Sequence, residues 1–235
     1  MSILSIVQEA AEMLIIESPA TLVGNTDPQV AQLRSIFRSL GRELLRDAEW
    51  NELITLWTAP ITADPQTVTF PADRDRSLLK ARVWRTSSLT PLVGPISSSD
   101  STFLRNNTAG NFPGYWRNFQ GGLQIVGLGT SDTIDTEYIS NQIYTNAAGD
   151  TNLKDFTADD DRIRIADEDE ELFKLGLVWK WRKAKRLDYA EDLQDYELYK
   201  EKAMARNRDA KPRSMSSRQT ADEIESTFRG SIVVS

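Results

Sequence analysis

The sequence predicts an α+β protein. Its expected body is a helical bundle of two N-terminal helices plus a C-terminal helical pair, with a β-rich insertion and an extended C-terminal tail. Three observations carry this expectation. Apolar residues recur at helical spacing up to about residue 50 and again after 167, whereas from 53 the period drops to two. The last residues, "KPRSMSSRQTADEIESTFRGSIVVS", show neither period over any length. With 235 residues the chain can bury one good core and a smaller satellite. The expected divisions are 1–52 for the N-terminal helices, 53–166 for the β-rich insertion with a long loop, 167–208 for the C-terminal pair and 209–235 for the tail.

The first helix is expected over residues 2–16, where Ile3, Ile6, Val7, Ala10 and Leu14 share one side and Ser5 and Gln8 have capping-box spacing. "SPATLVGNTDP" is a connector of helix breakers. Thr26 or Asp27 then caps a second helix with Pro28 in its first turn, where a missing N–H costs nothing. Val30, Leu33, Phe37, Leu40, Leu44 and Ala48 form its apolar stripe. Arg34, Arg38, Arg42, Glu43 and Arg46 lie mostly off it, and the helix is expected to end near Trp50 and Asn51.

"LITLWTAPI" and "QTVTFPA" alternate around Ala63 to Pro65 and suggest two strands in a hairpin-like arrangement. "LLKARVWR" reads as a further strand. Residues 86–120 are nearly uncharged and rich in Ser, Thr, Asn, Gly and Pro, the composition of a long functional loop. "GGLQIVGL", "TIDTEYISNQIYT" and "DRIRI" resume the strand pattern. The helix "ADEDEELFKLGLVWKWRKAKRLD" opens with acids and closes with bases, complementing a helix dipole. A second helix follows with little room for a loop.

That penultimate helix poses the functional question, because two tryptophans and five bases crowd Val178 to Arg186. A helix reading nucleic acid would gather its cations on one stripe. At about 100° per residue these cations scatter around the axis, while the first half of the helix is apolar nearly all round, the mark of burial by several neighbours. Gly176 costs about 1 kcal/mol relative to alanine, so a close approach of another helix is its natural reason. Glu191, Asp192, Asp195 and Glu197 then offer acids to the preceding bases. The stretch reads as architecture, with Phe173, Leu177, Trp179 and Trp181 as the core and subunit-packing residues.

The charge balance is −7, 35 acids against 28 bases, which disfavours a DNA-coating role and suits a surface that nucleic acid passes without sticking. There is no cysteine and no histidine, which removes disulfides, thiolate metal sites and histidine-based relays. The N-terminus carries Glu9 and Glu12 without a basic lead, unlike a signal peptide, and no run has the roughly 20 apolar residues of a membrane span. No catalytic site, cofactor or metal is expected. The acidic run Asp159 to Glu171 lacks the alternating ligands and turn glycine of an EF-hand; it reads as a solvated loop entering a helix, or as the wall of a DNA channel. Glu43, Glu49, Glu52, Asp73 and Glu137 show no spacing that singles out a glycosidase pair. "GGLQIVGLG" is not followed by the Gly-Lys-Ser/Thr of a phosphate loop and reads as a strand with turns at both ends.

"LGLVWKWRKAKRLDYAEDLQDYE" resembles a signature of the head-to-tail adaptor (connector, or head-completion) proteins of tailed bacteriophages. "ELLRDAEWNEL", "FPADRDRSLLKARVWR", "PLVGPISSSD", "IDTEYISN" and "DDDRIRIADEDEELFK" follow the same order, so the likeness runs over residues 30–208. Such proteins form a ring of about twelve copies under the portal of the capsid, a closed heterologous assembly. The resemblance implies a non-enzymatic virion component at the head–tail junction, reached from the host cytoplasm. Its implied partners are itself, the portal, a downstream tail or nozzle protein, and double-stranded DNA passing without specific binding; no membrane is involved. Portal docking is expected from Arg218, Phe228, Ile232 and Val233 in the tail, whose "GSIVVS" suits strand addition to a partner. A tail-facing recognition loop is expected at Phe112, Tyr115 and Trp116, or these aromatics pin the loop to the sheet. The alternatives are a tail-tube or other tail component, and a host-surface or carbohydrate-binding module on the β-rich insertion.

Overall fold

The computed structural model describes residues 1–79, 81–106, 114–165 and 170–207. Helix α1 (Ile3–Met13) begins at Ser2, whose hydroxyl accepts from the Ser5 N–H at 3.2 Å; the cap is therefore Ser2, three residues before the expected capping box. Helix α2 (Pro28–Asp47) is capped by Asp27, whose carboxylate takes the N–H groups of Gln29 and Val30, with Pro28 in the first turn. Its stripe from Val30 to Leu44 is buried as the spacing predicts. The helix stops three residues before Trp50, which instead folds back and donates its indole N–H to the Leu44 carbonyl at 2.7 Å.

The β region holds strands β1 (Ile54–Pro60), β2 (Gln66–Thr69), β3 (Arg74–Ser77), β4 (Trp84–Arg85), β5 (Thr90–Pro91), β6 (Tyr115–Phe119), β7 (Gly122–Val126), β8 (Thr133–Ser140), β9 (Tyr144–Thr145), β10 (Asn152–Leu153) and β11 (Arg162–Ile163). Helix α3 (Ser98–Asn106) interrupts them, and α4 (Glu170–Ala184) and α5 (Ala190–Asn207) close the described chain. The strands make three antiparallel sheets. In the first, β8 is central, with β1 along one edge and β3 and β4 along the other, and β5 beyond β4. The second runs β2-β7-β6 and the third β10-β9-β11.

Three expectations about this region need correction. β1 and β2 do not form a hairpin: β1 pairs with β8 and β2 with β7, in different sheets. The described residues of "LLKARVWR" yield the two-residue strand Trp84–Arg85 and no longer one. The supposed long loop 86–120 contains β5, α3 and β6.

The larger correction concerns the body. The helices do not form a bundle that carries the β region as an insertion. α1, α2 and α5 do pack around α4, yet their core is completed by β residues: Ile139, Ile143, Tyr144, Phe156, Ile163 and Ile165 are buried with the helical stripes. Phe37 of α2 sits 5.8 Å edge-on to Phe156 and 6.4 Å from Tyr144, as well as 5.2 Å from Phe173 of α4. The β region is large enough to hold a second core of its own, around Ile61, Val83, Leu123, Ile125 and Ile134. An amphipathic stripe dictates that a helix face be covered, not that another helix cover it.

Candidate functional site

Helix α4 is the structural node. Phe173 and Leu177 are fully buried, Trp181 is 3% exposed and Trp179 8%, all within the core of a single chain. Gly176 lies where two helices close in: a Cβ on it would stand 2.6 Å from Leu40 of α2 and 3.1 Å from Tyr196 of α5. The close approach inferred from the sequence is therefore real. Trp179 lies between Tyr189 and Tyr196, at 6.5 and 5.8 Å. Burial, and then the carboxylates of Glu43, Asp47 and Glu197, push the Tyr196 phenol well above its usual value, so it stays neutral.

The cations of α4 are distributed among neighbours rather than collected on one face. Lys174 bridges Glu9 of α1 at 2.8 Å and Glu171 one turn back, and these partners raise its pKa to about 12. Lys180 pairs with Glu43 of α2, and Arg182 with Asp192 of α5 at 2.8 Å. Lys183 and Lys185 lie over the rings of Trp179 and Trp181 at 5.3 and 4.5 Å. Each neighbouring helix is thus tied to α4 by one ion pair as well as by apolar packing. These exposed or half-exposed pairs add little by themselves to the apolar packing that seats α4 among its neighbours.

In the acidic run before α4, two carboxylates bind backbone instead of being left to solvent. Asp159 accepts the N–H groups of Leu22 and Val23 at 2.9 and 2.7 Å, and buried Asp161 accepts those of Thr157 and Ala158. Both carboxylates staple backbone, the first across the chain to the α1–α2 connector. Glu170 pairs with the N-terminal amine. Residues 166–169 fall outside the described residues, as do Phe112, Arg218, Phe228, Ile232 and Val233. Among the described residues no group of three acids is arranged to hold a metal, and no helix is long and apolar enough to cross a membrane.

Tyr115 and Trp116 are strand residues of β6, paired with Val126 and Ile125 of β7, and successive side chains there point to opposite faces. Trp116 lines a cleft of about 360 Å³ with Trp57, Phe70, Pro95, Asn118 and Glu137. Trp57 and Phe70 stand 5.4 Å apart, and Arg74 covers the Phe70 ring at 3.6 Å. Gly94 lets the backbone at the cleft wall approach Trp116 closely, since a Cβ there would stand 2.4 Å from the Trp116 carbonyl. At its rim the Tyr138 hydroxyl donates to Asp73 at 2.9 Å; burial and then that carboxylate raise the phenol to about 12. Sequence reasoning found Trp116 but not its companions. Trp57 and Phe70 were visible as alternating strand residues, whereas their meeting depends on β1 and β2 lying in different sheets. No family model matches this chain, and no curated protein matches it significantly.

Proposed function

We propose that the chain is a structural, non-enzymatic subunit of a phage virion: an adaptor ring between portal and tail, through whose lumen DNA passes. The observation that carries this reading is the use made of residues 174–197. Their tryptophans and cations join four helices into one stiff junction, with α4 buried on several sides and held by an ion pair to each of α1, α2 and α5. A ring subunit that bears load between two larger bodies needs such a junction. The net charge of −7 suits a lumen that repels phosphate and lets duplex slide. Both points support the likeness over residues 30–208; copy number and portal contact come from that likeness.

The test is to mix the full chain with portal rings from the same genome and weigh the product. A fixed number of subunits per portal, lost on deleting residues 209–235, supports the adaptor and docking through that segment. Binding that survives the deletion keeps the adaptor and removes the docking role of Arg218, Phe228, Ile232 and Val233. No complex with intact portals moves the chain to a tail component that assembles elsewhere.

A second reading, a carbohydrate- or host-surface-binding module, is favoured by the cleft, where Trp57, Phe70 and Trp116 offer ring faces beside Asn118 and Glu137. Saccharide binding that Trp116→Ala abolishes, without loss of fold, supports it.

A further inference from the structure

We propose that the outward face of α2 docks against the outward face of α5 of a second copy, in a head-to-tail contact. The inference deepens the ring reading and rests on it only for closure of the chain of contacts. At about 100° per residue Ala31, Ser35, Ser39, Arg42 and Arg46 fall within about 80° of one another, opposite the buried stripe of α2. These residues line a shallow groove of about 710 Å³ along the helix. Its floor is small side chains and its wall is guanidinium. Arg34 and Arg38 on the shoulder are engaged within the chain, on the Leu22 carbonyl and on Asp155. Glu43 and Asp47 at the other edge are matched by Lys180 and Lys200. Arg42 and Arg46 form no ion pair within the described chain, so the groove presents two uncompensated cations.

The complementary surface is on α5. Its buried side is Tyr196 and Ala203; the opposite side exposes Glu191, Asp195, Leu198 and Glu201, with Lys202 as the one cation among them. None of the three acids is paired within the described chain. Leu198 is 51% exposed in the middle of them, an apolar knob left open by the described residues. The acids span about 15 Å and the groove from Ala31 to Arg46 about 22 Å, so the knob can sit over Ser35 and Ser39 while Glu191 and Asp195 reach Arg42 and Arg46. Both helices pack on α4, and Lys200 of α5 reaches Asp47 at the edge of α2, while among the described residues both outward faces are open. The cations and the acids therefore need a second copy to meet. Nucleic acid is the other anion that two arginines could meet, but it leaves Leu198 and its acids without a role.

The experiment is sedimentation velocity of the full chain at low ionic strength, where exposed pairs are least screened. The wild type is expected to form multimers. Arg42→Glu with Arg46→Glu, and separately Glu191→Lys with Asp195→Lys, should each weaken self-association at least about tenfold, as expected when close charge pairs become like-charged. Mixed together, these two variants are complementary at both faces, through the wild-type pair and the fully reversed pair, and should form alternating multimers that neither forms alone. All four reversals in one chain should restore multimers, which also shows that the reversed faces fold. A wild type that stays monomeric, single-face variants that assemble like the wild type, or a fourfold variant that stays monomeric overturns the proposal. So does a duplex DNA fragment whose binding alone is lost with the two arginines. Portal capture without self-association would sink this contact and leave the adaptor standing; self-association without portal capture would do the reverse.

Discussion

Gly176 brings α4 onto α2 so closely that a Cβ there would stand 2.6 Å from Leu40 Cδ2. Leu40 is fully buried, so its methyls cannot swing away freely. Gly176→Ala is expected to lower stability by about 1 kcal/mol net: overpacking costs about 1–3 kcal/mol and helix propensity returns about 1. Leu40→Val in the same chain makes room for the new methyl. The double variant should then be more stable than the sum of the two single losses, read from urea midpoints. Strict additivity would mean that the two residues do not crowd one another.

Gly122 gives a sharper result, because what faces it is backbone. A Cβ there would stand 2.3 Å from the Val68 carbonyl oxygen, across the pairing of Thr69 with Gly122. β2 must shift to admit a methyl, and the small second core depends on that strand through Val68. Gly122→Ala is expected to cost about 2–4 kcal/mol, more than Gly176→Ala. Thermal melts of both variants settle the order, and a smaller loss at Gly122 would contradict it.

These two glycines also mark what a linear reading reaches. Gly176 was legible because a glycine inside an apolar helix needs a reason, and close packing is the cheapest one. The stripe of α2 and its Asp27 cap were legible for the same local reasons. Partners were not. Thr58 and Asp135 are hydrogen-bonded cross-strand neighbours 77 positions apart, and alternation identifies each as a strand residue without naming the other. The bundle expectation failed in the same way, since nothing about Phe37 says that Tyr144 and Phe156, rather than another helix, complete its surroundings. Two-residue strands such as Trp84–Arg85 are too short for any period to show. The groove on α2 was half visible: the arginines were seen off the stripe, but which of them are already engaged needs Leu22 and Asp155 in place.

Asp159 holds the α1–α2 connector by accepting two backbone N–H groups from Leu22 and Val23. Asp159→Ala leaves both donors without that partner, at a cost of about 1–3 kcal/mol. The damage should be local first. Amide exchange at residues 22 and 23 is expected to accelerate before the core of α2 and α4 is affected. Uniform acceleration across the chain would show that the connector has no separate stability.

Asp132 predicts how the β region answers acid. Burial pushes its carboxyl up, but three partners outweigh that: the Ser87 hydroxyl at 2.6 Å, the Arg85 guanidinium at 2.7 Å and the Gly129 N–H at 3.2 Å. The net effect holds the carboxyl below its ordinary 3.8. A carboxyl depressed in the folded state stabilises fully above its unfolded value and loses that contribution as pH falls through the folded one. Asp132→Asn removes the charge, so Arg85 loses its anion beside a side chain only 6% exposed. The variant should be less stable by about 1–3 kcal/mol at neutral pH. The gap between the urea midpoints of wild type and variant should hold constant down to about pH 5 and close progressively below about pH 4. Taking the difference cancels the titration of every other carboxylate in the chain. A gap that persists at pH 2 would mean that Asp132 stabilises the fold by its shape and hydrogen bonds rather than by its charge.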